Sequence, residues 1–534
     1  MRIAVASACG LWVLALASAA VATTYKVGPT QQYKQLGAVK GLLKPGDVVE
    51  IDGDASYTGG VVFDQPGAAA SKITIRGLRV NGKRPVISGA TNTLEAQADH
   101  YVFEGLELTG GSFRCFYHHA HDITLRDSVI HDCPKHGLLG ADSDSGSLLL
   151  EYVEVYKCGG GVYDHQIYMA TDETAHPKSV FRMQHCYVHD ANGGNNVKSR
   201  AERNEIFYNW IQGAMYHELE LIGPDGQSEA LAREDSDVVG NVLMKTATTF
   251  VARFGGDGTG QTHGRYRFVN NTVITQPGGS AVFRLFHGLE SVEMHNNVFW
   301  TTGNGTPNLV RTDEAVWKSG SAVIGGSNNW VKTGATNAPK QWTGTLQGAD
   351  PGFVNAAASD LHLTSSSPLV DQGGTPASPN GYAFPSPLGA PAFHPPLHTV
   401  MAAGSAPARP AVGAIDIGAY EYGTGSGGTG GTGGTGTGGS ATGGASSGGA
   451  SSGGASSGGT AGSSAGGSAG SSGSAGNPSG GGPGSGGATG SGGASAKSDS
   501  DDDGGCGCRT HGRGHGSFVA VLGLLGLLLR RRRG

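Results

Sequence analysis

The sequence predicts an all-β protein built as a solenoid of stacked parallel strands, and three observations support this. Segments of similar pattern recur along the chain, apolar residues alternate within each segment, and asparagine returns at one fixed position in the later copies. The segments begin about 19 to 36 residues apart, which is the range of solenoid repeats. Alternation favours strands over helices. Stacked copies can bury a continuous core that one copy cannot bury alone.

The repeated segments follow one another through the first two thirds of the chain. They are Ile73–Val80, Tyr101–Leu108, Ile123–Ile130, Leu148–Val155, Phe181–Val188, Arg200–Phe207, Ser236–Leu243, Tyr266–Val273 and Val292–Phe299. Ahead of them, Leu36, Val39 and Leu43 have helical spacing. We therefore expect a short amphipathic helix there, which would cap the open end of the stack and cover its unpaired strand edge.

An asparagine ladder is predicted at one bend of the repeat. Asn241, Asn271 and Asn297 occupy the same position in successive segments. A buried amide has to be hydrogen-bonded, and an identical amide on the next strand can provide that bond. We interpret these three residues as structural.

The repeats resemble a right-handed parallel β-helix of the pectate-lyase-like superfamily, over roughly residues 24 to 422. The later part is less regular, but three of its segments resemble the closing segments of bacterial β-helix proteins. They are Asp350–Val354, Leu361–Leu369 and Asp416–Tyr422. The resemblance implies the fold. It does not fix an activity, because one fold hosts many functions.

Four regions are expected along the chain. Residues 1–22 have the pattern of a secretory signal peptide, with Arg2 before an apolar run that ends in small residues. Residues 23–422 form the β-helix domain. Residues 423–505 are rich in glycine, serine and threonine, and this composition predicts a disordered linker. Residues 506–534 form a C-terminal segment with its own pattern.

The C-terminal segment resembles the sorting signal of myxobacterial surface proteins, the MYXO-CTERM type. The resemblance lies in Cys506 and Cys508, an apolar run from Phe518 to Leu529, and the arginines at 530–533. It implies cleavage near a cysteine by a processing protease, membrane contact through the segment, and a protein that is secreted and anchored at the cell surface, on the outer membrane. Either cysteine could have the sorting role.

Cysteine usage is typical of an oxidising compartment, because four of the seven cysteines lie in the β-helix region. Cys133 and Cys158 each follow a repeated segment by three residues. Adjacent strands lie about 4.8 Å apart, within the Cα separation of a disulfide. We therefore predict a Cys133–Cys158 disulfide. The spacing of cysteine and histidine fits no zinc site.

Three similar strands mark the candidate functional site. They are His165–Ala170, Asn195–Arg200 and His217–Ile222, with Ile167, Val197 and Leu219 in one register. Stacking them predicts two outward columns of polar side chains and a third position just before each strand. The columns are Gln166, Asn196 and Glu218, then Tyr168, Lys198 and Glu220, and the third position holds His136, His165, Asn195 and His217.

The resemblance to β-helix polysaccharide lyases implies β-elimination on an acidic, uronate-containing polysaccharide. In that interpretation Lys198 is the base, Arg200 neutralises the substrate carboxylate, and Tyr168 or His217 supplies the acid. The resemblance also implies calcium as a possible cofactor, bound by Asn196, Glu218 and Glu220. The pattern of these three residues resembles the calcium ligands of the alginate and chondroitin lyase group, in which the basic residues follow the acidic pair in the chain, whereas here Lys198 and Arg200 precede it. We expect His165, Gln166, Trp210 and Phe250 to bind substrate.

Two other functions fit the same residues. Glu218 and Glu220 would lie about 7 Å apart, within the spacing of an inverting glycosidase pair. A surface adhesin or sugar-binding solenoid would instead use Tyr208, Trp210 and Phe250 as stacking platforms. Lys198 beside Glu220 could also be only a cross-strand ion pair, worth roughly 0.2–1 kcal/mol.

Nucleic acid is not an expected partner, because no basic stripe interleaved with aromatics appears in the folded part. We expect a monomer. His118, His119 and His121 are close in sequence, but no equivalent ligands occur nearby, so we interpret them as a solvated turn and not as a metal site.

Overall fold

The chain coils through three parallel sheets, which we call A, B and C and which it visits in that order between Val48 and Lys332. The structure, a computed structural model, describes residues 22–223, 235–256, 264–286, 288–312, 323–376 and 388–423. The predicted signal peptide, linker and sorting signal with Cys506 and Cys508 lie outside the described residues, apart from one or two residues at the boundaries. The predicted fold class, a right-handed parallel β-helix, is confirmed.

The strands are numbered along the chain. Sheet A contains β1 (Thr24–Val27), β2 (Val48–Asp52), β5 (Ile73–Leu78), β8 (Tyr101–Glu104), β11 (Ile123–Arg126), β14 (Leu148–Glu151), β17 (Val180–Gln184), β20 (Arg203–Phe207), β23 (Ser236–Val239), β26 (Arg265–Val269), β29 (Ser291–His295) and β32 (Val323–Ser327). Sheet B contains β3 (Ser56–Thr58), β6 (Val86–Ser88), β9 (Glu107–Thr109), β12 (Val129–His131), β15 (Glu154–Tyr156), β18 (Tyr187–His189), β21 (Trp210–Gln212), β24 (Val242–Met244), β27 (Thr272–Thr275), β30 (Val298–Thr301), β33 (Trp330–Lys332) and β34 (Leu346–Gly348). Sheet C contains β4 (Val61–Phe63), β7 (Asn92–Ala96), β10 (Arg114–His118), β13 (His136–Gly140), β16 (Ile167–Ala170), β19 (Val197–Arg200), β22 (Leu219–Leu221), β25 (Ala252–Phe254), β28 (Phe283–Leu285) and β31 (Val310–Thr312).

Each rung consists of one strand from each sheet, and consecutive rungs stack in register. Ile73 pairs with Tyr101, and eight of the nine predicted starts share this register. The sixth start is wrong, because Asn204 and not Arg200 pairs with Phe181. Arg200 is the last residue of the preceding strand, β19. Inward side chains from all three sheets merge into one apolar core, as stacking requires.

The predicted asparagine ladder stands at the corner between sheets A and B. The Asn271 backbone N–H donates to Asn297 Oδ1 at 2.9 Å, and the Asn241 N–H donates to Asn271 Oδ1 at 2.9 Å. The ladder also includes Asn209 and Asn329, which the misplaced sixth start and the unrecognised last repeat concealed. Each buried amide is satisfied by its neighbour, so these residues are structural.

The expected N-terminal helix is a pair of 3₁₀ turns, Leu36–Ala38 and Lys40–Leu42. Leu36, Val39 and Leu43 are buried against the first rungs, so the predicted apolar face is correct. The helix type is wrong because glycine inside the segment disfavours a continuous α-helix. A third 3₁₀ turn spans Ala356–Ala358. Within the described ranges, no helix combines the length and apolarity needed to cross a membrane.

Beyond the last rung, β35 (Phe353–Asn355) and β36 (Asp360–Leu363) form an antiparallel hairpin. Residues 388–423, which we call the strap, then return along the outer face of sheet B. Tyr420 of the strap is buried with Trp210, and Ile417 is buried with Trp330. Within the strap, Arg409 Nε donates to Glu421 at 2.9 Å. The outer face of sheet B is therefore occupied by the chain itself along its later rungs.

The disulfide joins Cys115 to Cys133, and Cys158 is a buried free thiol. The predicted Cys133–Cys158 pairing is therefore wrong, although the expectation of a bond between adjacent rungs is correct. Cys115 lies on sheet C one rung before Cys133, and the equivalent neighbour of Cys158 is Gly137. A Cβ on Gly137 would lie 3.0 Å from the Cys158 Sγ, so the same contact exists there without a second thiol.

Candidate active site

The three similar strands are β16, β19 and β22, and they lie side by side in sheet C in the predicted register. Ile167 pairs with Val197 and Val197 with Leu219, and all three point into the core. Because side chains alternate along a strand, the next residue of each strand lies on the outer face of the sheet. These residues are Tyr168, Lys198 and Glu220.

The same outward position continues as a row of arginines. Glu220 pairs with Arg253, Arg253 with Arg284, and Arg284 with Arg311. We call Lys198, Glu220 and these three arginines the cation row. The sequence interpretation missed the arginines, although each is the third residue of a similar tetrapeptide that starts with two apolar residues, at positions 251, 282 and 309.

Glu220 is the acidic member of the cation row, and its carboxylate interacts with the cations on both neighbouring strands. Arg253 Nη1 donates to Glu220 Oε1 at 2.9 Å, and Lys198 Nζ lies 3.8 Å from Glu220 Oε2. Asn195 Nδ2 also donates to this carboxylate. Burial by itself raises the pKa of Glu220, but the charges of Lys198 and Arg253 outweigh burial and hold the pKa well below its usual value. Glu220 is therefore an anion that fixes two cations.

Tyr168 and Arg200 form a second pair beside Lys198. Arg200 Nε donates to the Tyr168 hydroxyl at 3.0 Å, and Arg200 Nη1 donates to the Gly223 carbonyl at 2.9 Å. Lys198 Nζ lies 4.9 Å from the centre of the Tyr168 ring. The structure thus gathers the predicted base and one predicted acid, and it shows Arg200 orienting the phenol.

A column of side chains precedes the strands, as predicted, and it is held by backbone hydrogen bonds. The His165 N–H donates to His136 Nδ1 at 3.2 Å, and the Asn195 N–H donates to His165 Nδ1 at 3.0 Å. The His217 N–H donates to Asn195 Oδ1 at 2.9 Å. Burial, reinforced by Arg114, lowers the pKa of His136 to about 4, and burial with Lys198 nearby places the pKa of His165 well below its usual value.

His217 lies just before β22 and is completely buried, and the assignment of the acid to Tyr168 or His217 stays a prediction. Burial lowers the pKa of His217 to about 3. Its Nδ1 lies 3.1 Å from Asn195 Oδ1, an oxygen that can only accept, so Nδ1 carries the proton. Nε2 is then an acceptor, and it is buried without a hydrogen-bond partner among the described residues.

Gln166, Asn196 and Glu218 lie inside the corner between sheets B and C, so their predicted outward position is wrong. Gln166 Nε2 donates to Asn196 Oδ1 at 2.7 Å, and Asn196 Nδ2 donates to Glu218. Glu218 accepts from the Ala214 N–H at 3.1 Å. The strand alternation that placed these residues outward does not hold where the chain bends.

This placement bears on calcium and on the hydrolase alternative. Asn196 turns an N–H towards Glu218, and the Glu218 carboxylate is bonded inside the corner, while Glu220 lies on the outer face. The three residues therefore do not converge on one calcium ion. Glu218 and Glu220 also do not face a common space, so they do not form the carboxylate pair of an inverting glycosidase.

The aromatic residues predicted to contact a sugar lie in two different parts of the molecule, beneath the strap and on sheet C. Trp210 is completely buried beneath the strap, and Tyr208 accepts a hydrogen bond from the Ala392 N–H at 3.0 Å. Neither belongs to the site on sheet C. Phe250 does lie there, because its ring centre is 6.0 Å from that of His217 and 5.3 Å from the Arg284 guanidinium.

The histidines at 118, 119 and 121 do not form a metal site. His118 is completely buried, and its Nε2 lies 3.0 Å from the Gly146 carbonyl oxygen, so the interpretation of this residue as part of a solvated turn is wrong. The ring of His121 stacks on His176, with centres 4.8 Å apart. Across the described ranges, histidine, cysteine, aspartate and glutamate side chains form no group of three or more that could hold a metal ion.

Comparison with known proteins identifies relatives of the fold only. No protein-family model matches the sequence, and no curated protein matches it. Among solved structures, the pectate lyase Pel9A superposes with a TM-score of 0.50 at 13% identity, covering 75% of this chain and 96% of Pel9A. At this identity the likeness shows a shared right-handed parallel β-helix.

Two further solved structures are more distant. An alginate lyase from Paenibacillus sp. str. FPU-7 has a TM-score of 0.33 at 17% identity, covering 59% of this chain and 95% of that lyase. A PL6 family polysaccharide lyase from Pseudopedobacter saltans has a TM-score of 0.37 at 12% identity, covering 66% of this chain and 98% of that lyase.

Proposed function

We propose that the protein is a polysaccharide lyase that cleaves an acidic, uronate-containing polymer by β-elimination at the cation row of sheet C. One observation carries the proposal. Lys198 and three arginines share one outward position on neighbouring strands of the sheet, with Glu220 between the lysine and the first arginine. Neighbouring strands are about 4.8 Å apart, so the row offers cations at short, regular intervals along the solenoid.

Such a row suits an extended polyanion. Guanidinium groups bind carboxylates through two parallel hydrogen bonds, and this geometry makes arginine the usual partner of a planar anion. Phe286 packs against Arg253 and Arg284, at 4.1 Å and 4.5 Å from the ring centre to the guanidinium carbon. The ring thereby holds both guanidinium planes in fixed orientations.

The proposed reaction uses the residues around Lys198. Lys198, which is a cation beside Glu220, first gives one proton to water. Its amine then removes the proton from C5 of the uronate, and the electrons of that C–H bond form a C4–C5 double bond as the C4–O4 bond breaks. The Tyr168 hydroxyl, which is oriented by Arg200, gives a proton to O4. Arg253 pairs with the uronate carboxylate and thereby acidifies C5. Water returns the proton from Lys198 to Tyr168.

The roles of the predicted residues are revised accordingly. Arg253 takes the role of carboxylate partner and would exchange its bond to Glu220 for one to the uronate, while Arg200 is assigned to orienting the Tyr168 hydroxyl. The pectate lyase Pel9A is an example of a lyase on this fold, and the polymer that this chain cleaves is left to experiment.

The experiment is a screen of the full-length protein against pectate, alginate and other uronate polymers. We expect ultraviolet absorbance from the unsaturated product with at least one polymer. New reducing ends without absorbance would identify a hydrolase, and retention of the polymer without either product would identify a binding protein. Each of these last two results would overturn the proposal.

We also propose that the protein acts outside the cytoplasm, displayed at the cell surface. The pattern of residues 1–22 and the sorting-type segment with Cys506 and Cys508 support this location. The Cys115–Cys133 disulfide fits an oxidising compartment. Proteolysis of intact cells should release the wild-type β-helix domain. A Cys506→Ser, Cys508→Ser double variant should be lost from the surface fraction, and its retention there would contradict sorting through these cysteines.

A further inference from the structure

The corner between sheets B and C contains a chain of buried polar side chains that crosses four rungs. Gln166 bonds to Asn196, Asn196 to Glu218, and Glu218 to Lys245. The side chains of Glu218 and Lys245 are 0% and 1% exposed. Unlike the asparagine ladder at the corner between sheets A and B, this series of hydrogen-bonded side chains ends in an ion pair.

Lys245 is surrounded by oxygen atoms. Its Nζ donates to the Ala214 carbonyl at 2.8 Å and to the Tyr216 carbonyl at 2.7 Å, and it lies 3.4 Å from Glu218 Oε1. An ammonium group has three N–H bonds, one for each of these oxygens, and no acceptor. Two carbonyls and a carboxylate are also the ligand types that bind a hard metal cation.

Burying the charges of Glu218 and Lys245 costs free energy, and neighbouring polar groups offset this cost by hydrogen bonding to both side chains. Burial lowers the pKa of Lys245, an effect that Glu218 opposes, and burial raises the pKa of Glu218, an effect that Lys245 opposes. The two carbonyls accept hydrogen bonds from the amine, and the carboxylate accepts from two neighbouring N–H groups. We assign Lys245 as an ammonium and Glu218 as a carboxylate, because in these forms the hydrogen-bond donors and acceptors around them all have partners.

The position of this corner connects it to the candidate site. Ala214 and Tyr216 lie in the turn between β21 and β22, and Lys245 follows β24 on the next rung. The turn continues directly into His217 and then into the strand that carries Glu220. A cation at this corner therefore ties the turn to the following rung and sets where β22 begins.

We propose that the Lys245 ammonium is a built-in cation: it fills a cation site formed by Ala214 O, Tyr216 O and the Glu218 carboxylate, and it holds this turn without a metal ion. The calcium expected from the sequence thus has its nearest counterpart in a lysine side chain. The inference concerns the stability of the turn, and it stands whether or not the protein is a lyase.

The test compares the thermal stability of the full-length wild-type protein with that of Lys245→Ala. Removing the ammonium leaves the Glu218 carboxylate buried and unpaired, so we expect the Tm to fall by about 5–10 °C. Calcium chloride should restore at least half of this loss in the variant, because the oxygens are left facing an empty space. The wild-type Tm should respond neither to calcium chloride nor to a chelator.

Two further proteins complete the experiment. Lys332 is a matched control, because its Nζ donates to the carbonyls of Thr301 and Gly303 but its described contacts include no carboxylate. Lys332→Ala should change the Tm little and should not respond to calcium. If Lys245→Ala does not fold, the double variant Lys245→Met, Glu218→Gln removes both charges and should fold without a response to calcium.

Three results would overturn the proposal. They are a wild-type Tm that falls with chelator, a Lys245→Ala protein as stable as the wild type, and a destabilised Lys245→Ala protein whose Tm calcium does not raise. A double variant that requires calcium to fold would contradict it equally.

Discussion

The outer faces of sheets A and C carry the same kinds of charged residue in opposite arrangements. On sheet A, Arg76, Glu104, Arg126 and Glu151 follow one another across neighbouring strands, so the sign of the charge alternates at every step. Arg126 Nε donates to Glu104 at 2.7 Å, and Arg76 bonds to the other oxygen of the same carboxylate. Each of these four charges is adjacent to its opposite.

On sheet C the sign of the charge changes only at the first two steps. Lys198, Glu220 and Arg253 form an alternating start, but Arg284 and Arg311 then extend the row with the same sign. Opposite charges on adjacent strands stabilise a sheet by roughly 0.2–1 kcal/mol per pair, and like charges in the same positions destabilise it. Cross-strand pairing within the sheet thus explains the row on sheet A. On sheet C, in contrast, the strand neighbours of Arg284 at this position are two further arginines, Arg253 and Arg311.

Replacing the acidic residue of each row should give the largest difference between the two faces, measured as a loss in the free energy of unfolding. Glu220→Gln leaves Lys198 and Arg253 without their shared anion in a buried setting, and we expect a loss of about 3–5 kcal/mol in the free energy of unfolding. Glu104→Gln on sheet A should cost about 1 kcal/mol or less, because its arginine partners are partly exposed. Chemical denaturation measures both, and equal losses would contradict the distinction.

The stability of the wild type and that of Glu220→Gln should depend differently on pH. Lys198 and Arg253 hold the pKa of Glu220 below its unfolded value, so its stabilisation is present above about pH 4.3 and is lost as the pH falls further. The wild type should lose stability below that pH more steeply than Glu220→Gln.

Substituting the first arginine of the cation row should affect activity next. Arg253→Gln removes the proposed partner of the uronate carboxylate, and we expect kcat/KM to fall by about 10²–10³-fold. The kcat/KM of Arg253→Lys should lie between those of Arg253→Gln and the wild type, because lysine keeps the positive charge but cannot form the bidentate hydrogen bonds of a guanidinium. Arg126→Gln on sheet A is the matched control and should leave kcat/KM unchanged. A similar loss in both would place the effect in stability and not in the site.

The next arginine should act on binding more than on chemistry. Arg284→Gln should raise KM about tenfold, or roughly 1.4 kcal/mol, with kcat nearly unchanged. The affinity should also depend less on salt concentration, because the variant has one cation fewer to pair with the polymer. Steady-state kinetics at two ionic strengths measure both quantities, and Arg76→Gln provides the comparison on sheet A. A fall in kcat with KM constant would place Arg284 in the chemical step instead.

The histidine column beside the row should affect the pH dependence of stability. Unfolded His165 binds a proton below about pH 6.5, whereas the folded side chain stays neutral, so the protein loses about 1.4 kcal/mol per pH unit from this residue as the pH falls. His165→Asn keeps an acceptor for the Asn195 N–H, as Asn195 itself does for His217. Denaturation at pH 7.5, 6 and 5 should show a shallower slope in the variant. An unchanged slope would show that His165 is not buried in its neutral form.

The sequence predicts the strands of this fold well and its corners poorly. Strand alternation correctly places Ile167, Val197 and Leu219 in one inward register, because a rung buries every second side chain. The same rule places Asn196 and Glu218 outward, and the structure places them inside. At a corner the backbone turns, so the direction of a side chain depends on the turn and on its hydrogen-bond partners.

Two other errors arise from contacts that the local sequence pattern does not show. Cys133 pairs with Cys115, because side chains near a corner reach the preceding rung at a different strand position. Trp210 is covered by the strap, and this contact joins residues far apart in the chain, for which local pattern gives no signal. Arg253, in contrast, could have been found by extending the repeat of the three similar strands by one more rung.

The most direct test of the central claim is the rate of unsaturated product formation by Lys198→Ala, measured beside Arg126→Ala and the wild type on the same uronate polymer. If Lys198 is the base on the functional face, its substitution should lower the rate by about 10²–10⁴-fold while polymer binding persists, and Arg126→Ala should match the wild type. A Lys198→Ala protein that forms product at the wild-type rate would contradict the assignment of the site to sheet C.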